Sequence, residues 1–299
     1  MALSKITNAS VADTAVHGRR NHIINGGFQC WQRSEDKENT GVGWAYWSVD
    51  RFQTNKGRFR KTTDTVDGRT VNVLRIDPSS GVYNGGRGVF TMIEDWNVYD
   101  KKTTLSVWVK SDAATTAKLG LLYDYGTSST AAAGTNINVT TSWQRFTITY
   151  DAQTFTQAAG NYLLSSLVDG RTYYVAMAQL ENGDTATPFE HRSFGEELAL
   201  CQRYYNHMPL IIYDTIGTSY NTLSAKPYSY HIHHEFPTTM RAIPTCTFDV
   251  KGSYSPYTSY ASGMAVFGLN QHKFQARVQN AAIAANGDVD FTYTADAEL

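Results

Sequence analysis

No surplus of charge of either sign exists in this chain: over 299 residues, 26 Lys and Arg stand against 27 Asp and Glu, a formal net charge of −1. Nothing is left over to neutralise a phosphate backbone or an anionic leaflet, so neither nucleic acid nor membrane is expected as a partner. Long apolar runs are missing too. No stretch approaches the ~18 residues of a spanning helix, and the first residues carry no apolar signal core, so neither membrane insertion nor secretion is expected. Cysteine is scarce, with only Cys30, Cys201 and Cys246. Odd in number, far apart and without CxxC or Cys/His spacing, they read as free thiols in a chain assembled in a reducing cytoplasm.

What is abundant is aromatic and turn-forming. The chain is 13% aromatic with 19 Tyr and 23 Gly but only 18% charged, and Thr and Ser are frequent throughout. These are the residues of strands and turns, and the expected fold class is all-β. Apolar or alternating runs at Val71 to Ile76, Gly88 to Ile93, Thr104 to Lys110, Lys118 to Tyr123, Gln144 to Tyr150 and Thr172 to Leu180 are separated by Gly, Asn and Asp clusters, and His22-Ile23-Ile24 is a shorter run of the kind. In Leu105-Ser106-Val107-Trp108-Val109 every second residue is apolar, the period of a strand with one wet face. Many such runs without βαβ alternation predict an antiparallel sandwich. Ser193 followed by Glu196 fits a capping box, and Phe194, Leu198, Cys201 and Tyr205 then fall on one helical face. Residues 204–299 hold ten of the 19 tyrosines and no tryptophan, so a separate β domain is expected.

Fingerprints of catalysis are also missing: there is no GxSxG, HExxH, P-loop or GxGxxG, and Gly85-Gly86-Arg87-Gly88 reads as a turn between strands. In Tyr230-His231-Ile232-His233-His234-Glu235 a strand would project His231 and His233 from one face as metal ligands would be, although a half-exposed strand reads the same way. Glu35, Asp36 and Glu38 read as a solvated loop, and a carboxylate pair formed between distant strands would leave no local signature. The constellation that does point to function is aromatic. Trp44-Ala45-Tyr46-Trp47, Tyr83-Asn84 with Arg87, Asp95-Trp96 and Tyr123-Asp124-Tyr125 each place a ring beside a polar group near a turn. Saccharides have apolar C–H faces and hydroxyl edges, so such platforms complement them. Trp44, Trp47, Tyr83, Arg87 and Trp96 are the candidate glycan contacts. Trp108 and Trp143, in well-patterned strands, read as core, as does at least one of Trp44 and Trp47.

Asn25-Gly26-Gly27-Phe28, the strand Leu105 to Lys110, Thr141-Ser142-Trp143-Gln144-Arg145-Phe146 and Val175 to Glu181 resemble the jelly-roll carbohydrate-binding modules of the galactose-binding-like type. Ile24 to Gln29 with Trp31-Gln32-Arg33, then Asp50-Arg51-Phe52, then Ala186 to Arg192 leading into Glu197 to Tyr205, are similar to bacteriophage tail-fibre and related virion proteins. The resemblance implies a virion component, made in the host cytoplasm, that displays a sugar-binding sandwich as a homotrimer among other phage virion proteins. The shared motifs are expected to be structural: Asn25, Gly26 and Gly27 turn the chain, and Asp50-Arg51 is expected as a buried or half-buried ion pair. In many such modules calcium ties the first strand to the last, and Asn25 and Glu181 are the positions here that would contribute.

The sequence therefore predicts an N-terminal arm for virion attachment at 1–20, a jelly-roll β-sandwich at 21–190, a helical connector at 191–206 and a smaller Tyr-rich C-terminal β domain for oligomerisation or receptor contact at 207–299. The arm is equally readable as a frayed terminus. The expected function is non-enzymatic adsorption to a host cell-surface glycan. An architectural virion subunit (head fibre, collar or adaptor piece) that binds no glycan comes second, and a polysaccharide depolymerase third.

Overall fold

Period-two patterning becomes strand almost wherever it occurs. The computed structural model describes residues 19–39, 44–78, 87–120, 122–124, 134–155, 159–214, 229–253, 264–279 and 287–298, so the arm up to residue 18 lies outside it. Its N-terminal strands are β1 (Asp36–Asn39), β2 (Phe52–Asn55), β3 (Gly57–Val66), β4 (Arg69–Asp77), β5 (Arg87–Ile93), β6 (Thr103–Ser111), β7 (Thr115–Leu119), β8 (Leu122–Asp124), β9 (Thr135–Val139), β10 (Gln144–Tyr150), β11 (Ala159–Leu167) and β12 (Tyr173–Asn182). They form two sheets, β1-β3-β4-β12-β6-β10 and β2-β5-β11-β7-β9, with β8 also pairing β11. All their pairings are antiparallel, and the fold is an all-β sandwich of jelly-roll type.

Side chains from both sheets meet in one core. Phe59, Leu74, Ile76, Leu105, Val107, Val109, Val175 and Leu180 come from the first sheet, and Phe52, Val89, Ile93, Leu119, Val139, Leu163 and Leu164 from the second. Each is at most 1% exposed, and such burial is worth about 1.5–3 kcal/mol per side chain. Two expectations are corrected. The run Lys118 to Tyr123 is not one strand: Gly120 sits at φ +68°, and a Cβ there would lie 2.1 Å from the Tyr150 hydroxyl, which donates to the Gly120 carbonyl at 2.6 Å. His22-Ile23-Ile24 forms no strand either, although Ile23 is fully buried in the core.

Helix α1 (Phe194–Gln202) begins at the expected cap, with Ser193 Oγ accepting from Glu196 N at 3.3 Å. Its buried face is the expected one only in part: Cys201 and Tyr205 are buried. Phe194 is 56% exposed and Leu198 only partly buried, whereas Glu197, Leu200, Cys201 and, just beyond the helix, Tyr204 are buried. The reason is electrostatic: Glu197 pairs with buried Arg192 at 3.3 Å and accepts from Asn25 N at 2.5 Å, which fixes the rotation of the helix.

The chain divides into two compact units after Leu198, inside α1. The second unit contains β13 (Tyr205–Asp214), β14 (Ser229–Glu235), β15 (Thr245–Ser253), β16 (Met264–Phe267), β17 (Lys273–Gln279) and β18 (Gly287–Asp296). These form two three-stranded sheets, β13-β18-β15 and β14-β17-β16. Phe236, Met240, Phe274, Ala276, Tyr293 and Ala295 make its core. The three cysteines are free, as expected, and among the described residues no helix is long and apolar enough to cross a membrane.

Candidate functional site

Because Leu105, Val107 and Val109 of β6 face the main core, Ser106, Trp108 and Lys110 must face the other way. The same parity on the neighbouring strands sets Tyr174 of β12 beside Lys110 and Arg75 of β4, Arg75 beside Arg60 of β3, and Arg60 beside Asp36 of β1. A row of aromatic and charged side chains therefore crosses the outer face of the first sheet, beginning at Trp143 next to β10. Lys110 Nζ lies 5.1 Å from the Trp143 ring and 5.0 Å from that of Tyr174, and the Arg75 guanidinium lies 5.7 Å from Tyr174. Asp77 fixes the cationic end, accepting from Arg60 Nε at 2.7 Å and Arg75 Nε at 2.8 Å.

This face is concave. β3 and β6 are three strand spacings apart, about 14 Å in a flat sheet, farther than a lysine and an aspartate can span. Asp64 of β3 nevertheless accepts from Lys110 Nζ at 2.5 Å and from Trp143 Nε1 at 3.1 Å. The β3–β4 hairpin must therefore curl over the face. The bond from Lys110, followed by those from Thr65 N and Trp143, holds the Asp64 carboxyl below its ordinary pKa. Beneath the hairpin lies a second apolar cluster, in which partly buried Trp108, Trp143, Tyr174 and Phe189 pack on Val66, Val73, Ala176 and Met177. Trp108 and Trp143 are thus not in the main core as expected. The alternation itself carried the signal: Trp108 falls out of phase with Leu105, Val107 and Val109.

One edge of this face is open. β12 pairs with β4 only over Tyr173–Val175; at the following irregularity Met177 adopts φ +48° and β12 leaves its neighbour. The segment 21–29 takes the vacated edge, with His22 N donating to Leu180 O at 2.8 Å and Ala178 N to Gly26 O at 2.9 Å. Glycine is required at position 26, because a Cβ there would stand 2.1 Å from the Ala178 carbonyl oxygen. Residues 187–192 then cross the outer face, held by Thr187 N to Glu181 Oε1 at 2.8 Å and Glu190 N to Gln179 Oε1 at 2.8 Å. Between them and the free half of β4 opens a cleft of about 410 Å³.

The candidate contacts that the structure describes differ in exposure. Trp47 is 40% exposed, whereas Trp44 is partly buried, edge-on to Phe90 at 6.4 Å. Tyr83 and the Trp96 side chain lie outside the described residues, although Trp96 opens a 3₁₀ turn capped by Asp95. Arg87 is not a surface contact: it is 2% exposed, pairs with Asp169 at 3.3 Å and donates to the carbonyls of Val168 and Arg171. Burying its long stem within the sandwich brings Nη2 to these backbone acceptors, while Nε and Nη1 are buried without a hydrogen bond among the described residues. Asp50 and Arg51 are both buried as expected, but the Asp50 carboxylate pairs with Arg33 Nη1 at 3.3 Å and receives Gln32 N and Gln32 Nε2, while Arg51 Nη2 donates to Met92 O at 3.2 Å. Glu35 and Asp36 do not sit in a loose loop. Asp36 starts β1 and takes both Nε and Nη2 of Arg58 at 2.6 Å, while Glu35 takes Lys61 Nζ at 2.6 Å.

Calcium does not fit the residues proposed for it. Asn25 Oδ1 already accepts from Gln29 N and Cys30 N, and both Glu181 oxygens accept from Thr187 or Gln179. Among the described residues no group of three or more His, Cys, Asp or Glu could hold a metal. The His231 side chain lies outside the described residues, and His233 is exposed on β14.

No family model matches the chain, and no curated protein does. Among solved structures it is similar to a family-4 carbohydrate-binding module, with 16% identity over 54% of this chain and 100% of that one at a TM-score of 0.34. It is similar also to a putative sugar-binding protein from Bacteroides thetaiotaomicron, with 11% identity over 55% of this chain and 100% of that one at a TM-score of 0.38. The enzymatically active domain of tailspike protein 4 from bacteriophage CBA120 is 16% identical over 54% of this chain and 21% of that one, at a TM-score of 0.35.

Proposed function

We propose that the N-terminal sandwich is a non-catalytic glycan-binding module. The observation that carries this reading is the row Trp143, Lys110, Tyr174 and Arg75, partly exposed rings alternating with cations on a concave sheet face. Rings bury the apolar faces of sugars while Lys, Arg and Asp groups hydrogen-bond their hydroxyls, and the sheet holds both without an ordering cost at binding. Trp47, 40% exposed, is a second platform on the same unit. The test is a glycan array and host-envelope binding of the full chain. Trp143→Ala and Tyr174→Ala should each cost about 2 kcal/mol, roughly 30-fold in affinity; binding that survives both changes overturns the assignment.

The setting of this module is the finer part of the proposal. The motifs from Ile24 to Arg33 and Ala186 to Tyr205 support a bacteriophage fibre subunit that adsorbs to a host glycan as a homotrimer, where several weak sites act together. Native mass spectrometry giving only monomer at micromolar concentration would sink the trimer. An architectural virion subunit is the second reading, favoured by the β3–β4 hairpin that packs Val66 and Val73 into the same apolar cluster as Trp108 and Trp143. An array without any positive glycan, together with assembly defects in the Tyr174→Ala particle, would select it.

A further inference from the structure

The cleft at the open edge of β4 has a chemistry distinct from that of the aromatic row. Its volume of about 410 Å³ lies within the span of small-ligand sites, about 300–1,000 Å³. Arg69, His191 and Arg192 line it, and among the described residues no Asp or Glu does. These three bases are not equivalent. Arg192 is occupied: it pairs with Glu190 at 3.2 Å and Glu197 at 3.3 Å and donates to the carbonyls of Ile23 and Asn21, leaving Nε as a buried donor without an acceptor among the described residues. Arg69 is exposed at the start of β4, and its side chain has no hydrogen bond or ion pair among the described residues. His191 stands edge-on to Phe189 with ring centroids 5.0 Å apart. Burial, and after it the charge of Arg69, holds its pKa below the ordinary imidazole value. Arg69 thus brings to the His191 side of the cleft a guanidinium charge that no carboxylate pairs with among the described residues.

A neutral ligand would leave that charge unanswered, whereas an oxyanion between Arg69 and His191 would answer it with charge-assisted hydrogen bonds. The partly exposed ring of Phe189 adds an apolar surface beside the cations, and the Asn72 amide, without a partner among the described residues, adds a donor and an acceptor. We infer that the cleft holds a carboxylate-bearing sugar unit of an acidic glycan, with Arg69 on the carboxylate, Phe189 against the ring and Asn72 on a hydroxyl. This assignment rests on the glycan reading of the module and gives its ligand class. Sulfate and phosphate share the charge; the ring beside Phe189 is what selects a sugar over a free anion.

The test uses the full chain with three probes, glucuronate, glucose and inorganic sulfate, followed by calorimetry and by the imidazole NMR signals of His191. Glucuronate should move those signals and bind at least about tenfold more tightly than either other probe, and Arg69→Ala should remove about tenfold of that affinity. Arg69 has no structural partner to lose, so the variant should fold. Unmoved His191 signals, equal binding by Arg69→Ala, or glucose or sulfate matching glucuronate would each overturn the proposal. Neutral glycans bound on the array with no glucuronate in the cleft refute the cleft alone; glucuronate in the cleft with every array glycan negative refutes the aromatic face alone.

Discussion

Replacing Asn25 with alanine removes four side-chain hydrogen bonds at once, three of them buried. Its Oδ1 accepts from Gln29 N at 2.8 Å and Cys30 N at 3.0 Å, and its Nδ2 donates to Cys30 O at 2.9 Å and Asp50 O at 3.0 Å. The residue is fully buried, so no water replaces these partners. At about 1 kcal/mol net for each bond the loss is about 4 kcal/mol. The backbone adds to it, because Asn25 sits at φ +61° and alanine there costs about 1 kcal/mol more. Asn25→Gly removes that backbone penalty but none of the lost bonds, so it should be milder than Asn25→Ala by only about 1 kcal/mol. All six tryptophans precede residue 144 and thus belong to the first unit, so their emission follows its unfolding in urea without a contribution from the second. The expected drop of about 5 kcal/mol corresponds to a Tm lower by roughly 10–20 °C for a unit of this size. A loss below about 1.5 kcal/mol, or a glycine variant as stable as the wild type, would refute the hydrogen-bond account. The wild-type midpoint should be the same in calcium and in chelator, since the Asn25 oxygen is already taken.

Three further outcomes follow from local geometry. Gly26→Ala should cost about 2 kcal/mol or more in the same urea titration, because the Ala178 carbonyl 2.1 Å from the new Cβ is backbone and cannot step aside, whereas Gly27→Ala, with its nearest atom at 3.5 Å, should be close to neutral. The Asp64 carboxyl is depressed by Lys110, so its stabilisation is full above the unfolded value of about 3.9 and is lost as pH falls through the lower folded value; Asp64→Asn should flatten that acid limb in unfolding curves followed by tryptophan emission. His234, packed on Phe274, Phe236 and Tyr293, has its pKa lowered by burial, so the second unit should be fully stable above about pH 6.5 and lose stability as pH falls below it; His234→Phe should remove that dependence in near-ultraviolet circular dichroism of the tyrosines.

The sequence by itself determined the strand faces, the helix start and the charge balance. Alternation in Leu105 to Val109 fixed which residues share a side, and Ser193 with Glu196 fixed where α1 begins, because both are local properties of the backbone period and of its unsatisfied amides. Only the tertiary structure decided which side is the interior and what covers the other. Trp108 faces away from the main core because the β3–β4 hairpin and residues 187–192 cover that side, the hairpin turn at Asp67 lying 41 residues before it and Phe189 81 residues after it. The same long-range folding turned Arg87 from a surface candidate into a buried anchor and put Glu197 rather than Phe194 inside. It also made the cleft, whose Arg69 and His191 are 122 positions apart in the sequence and meet only because β12 leaves β4 at Met177. A local pattern states that two faces differ; the pairing of distant charges and the departure of one strand from its neighbour decide what each face becomes.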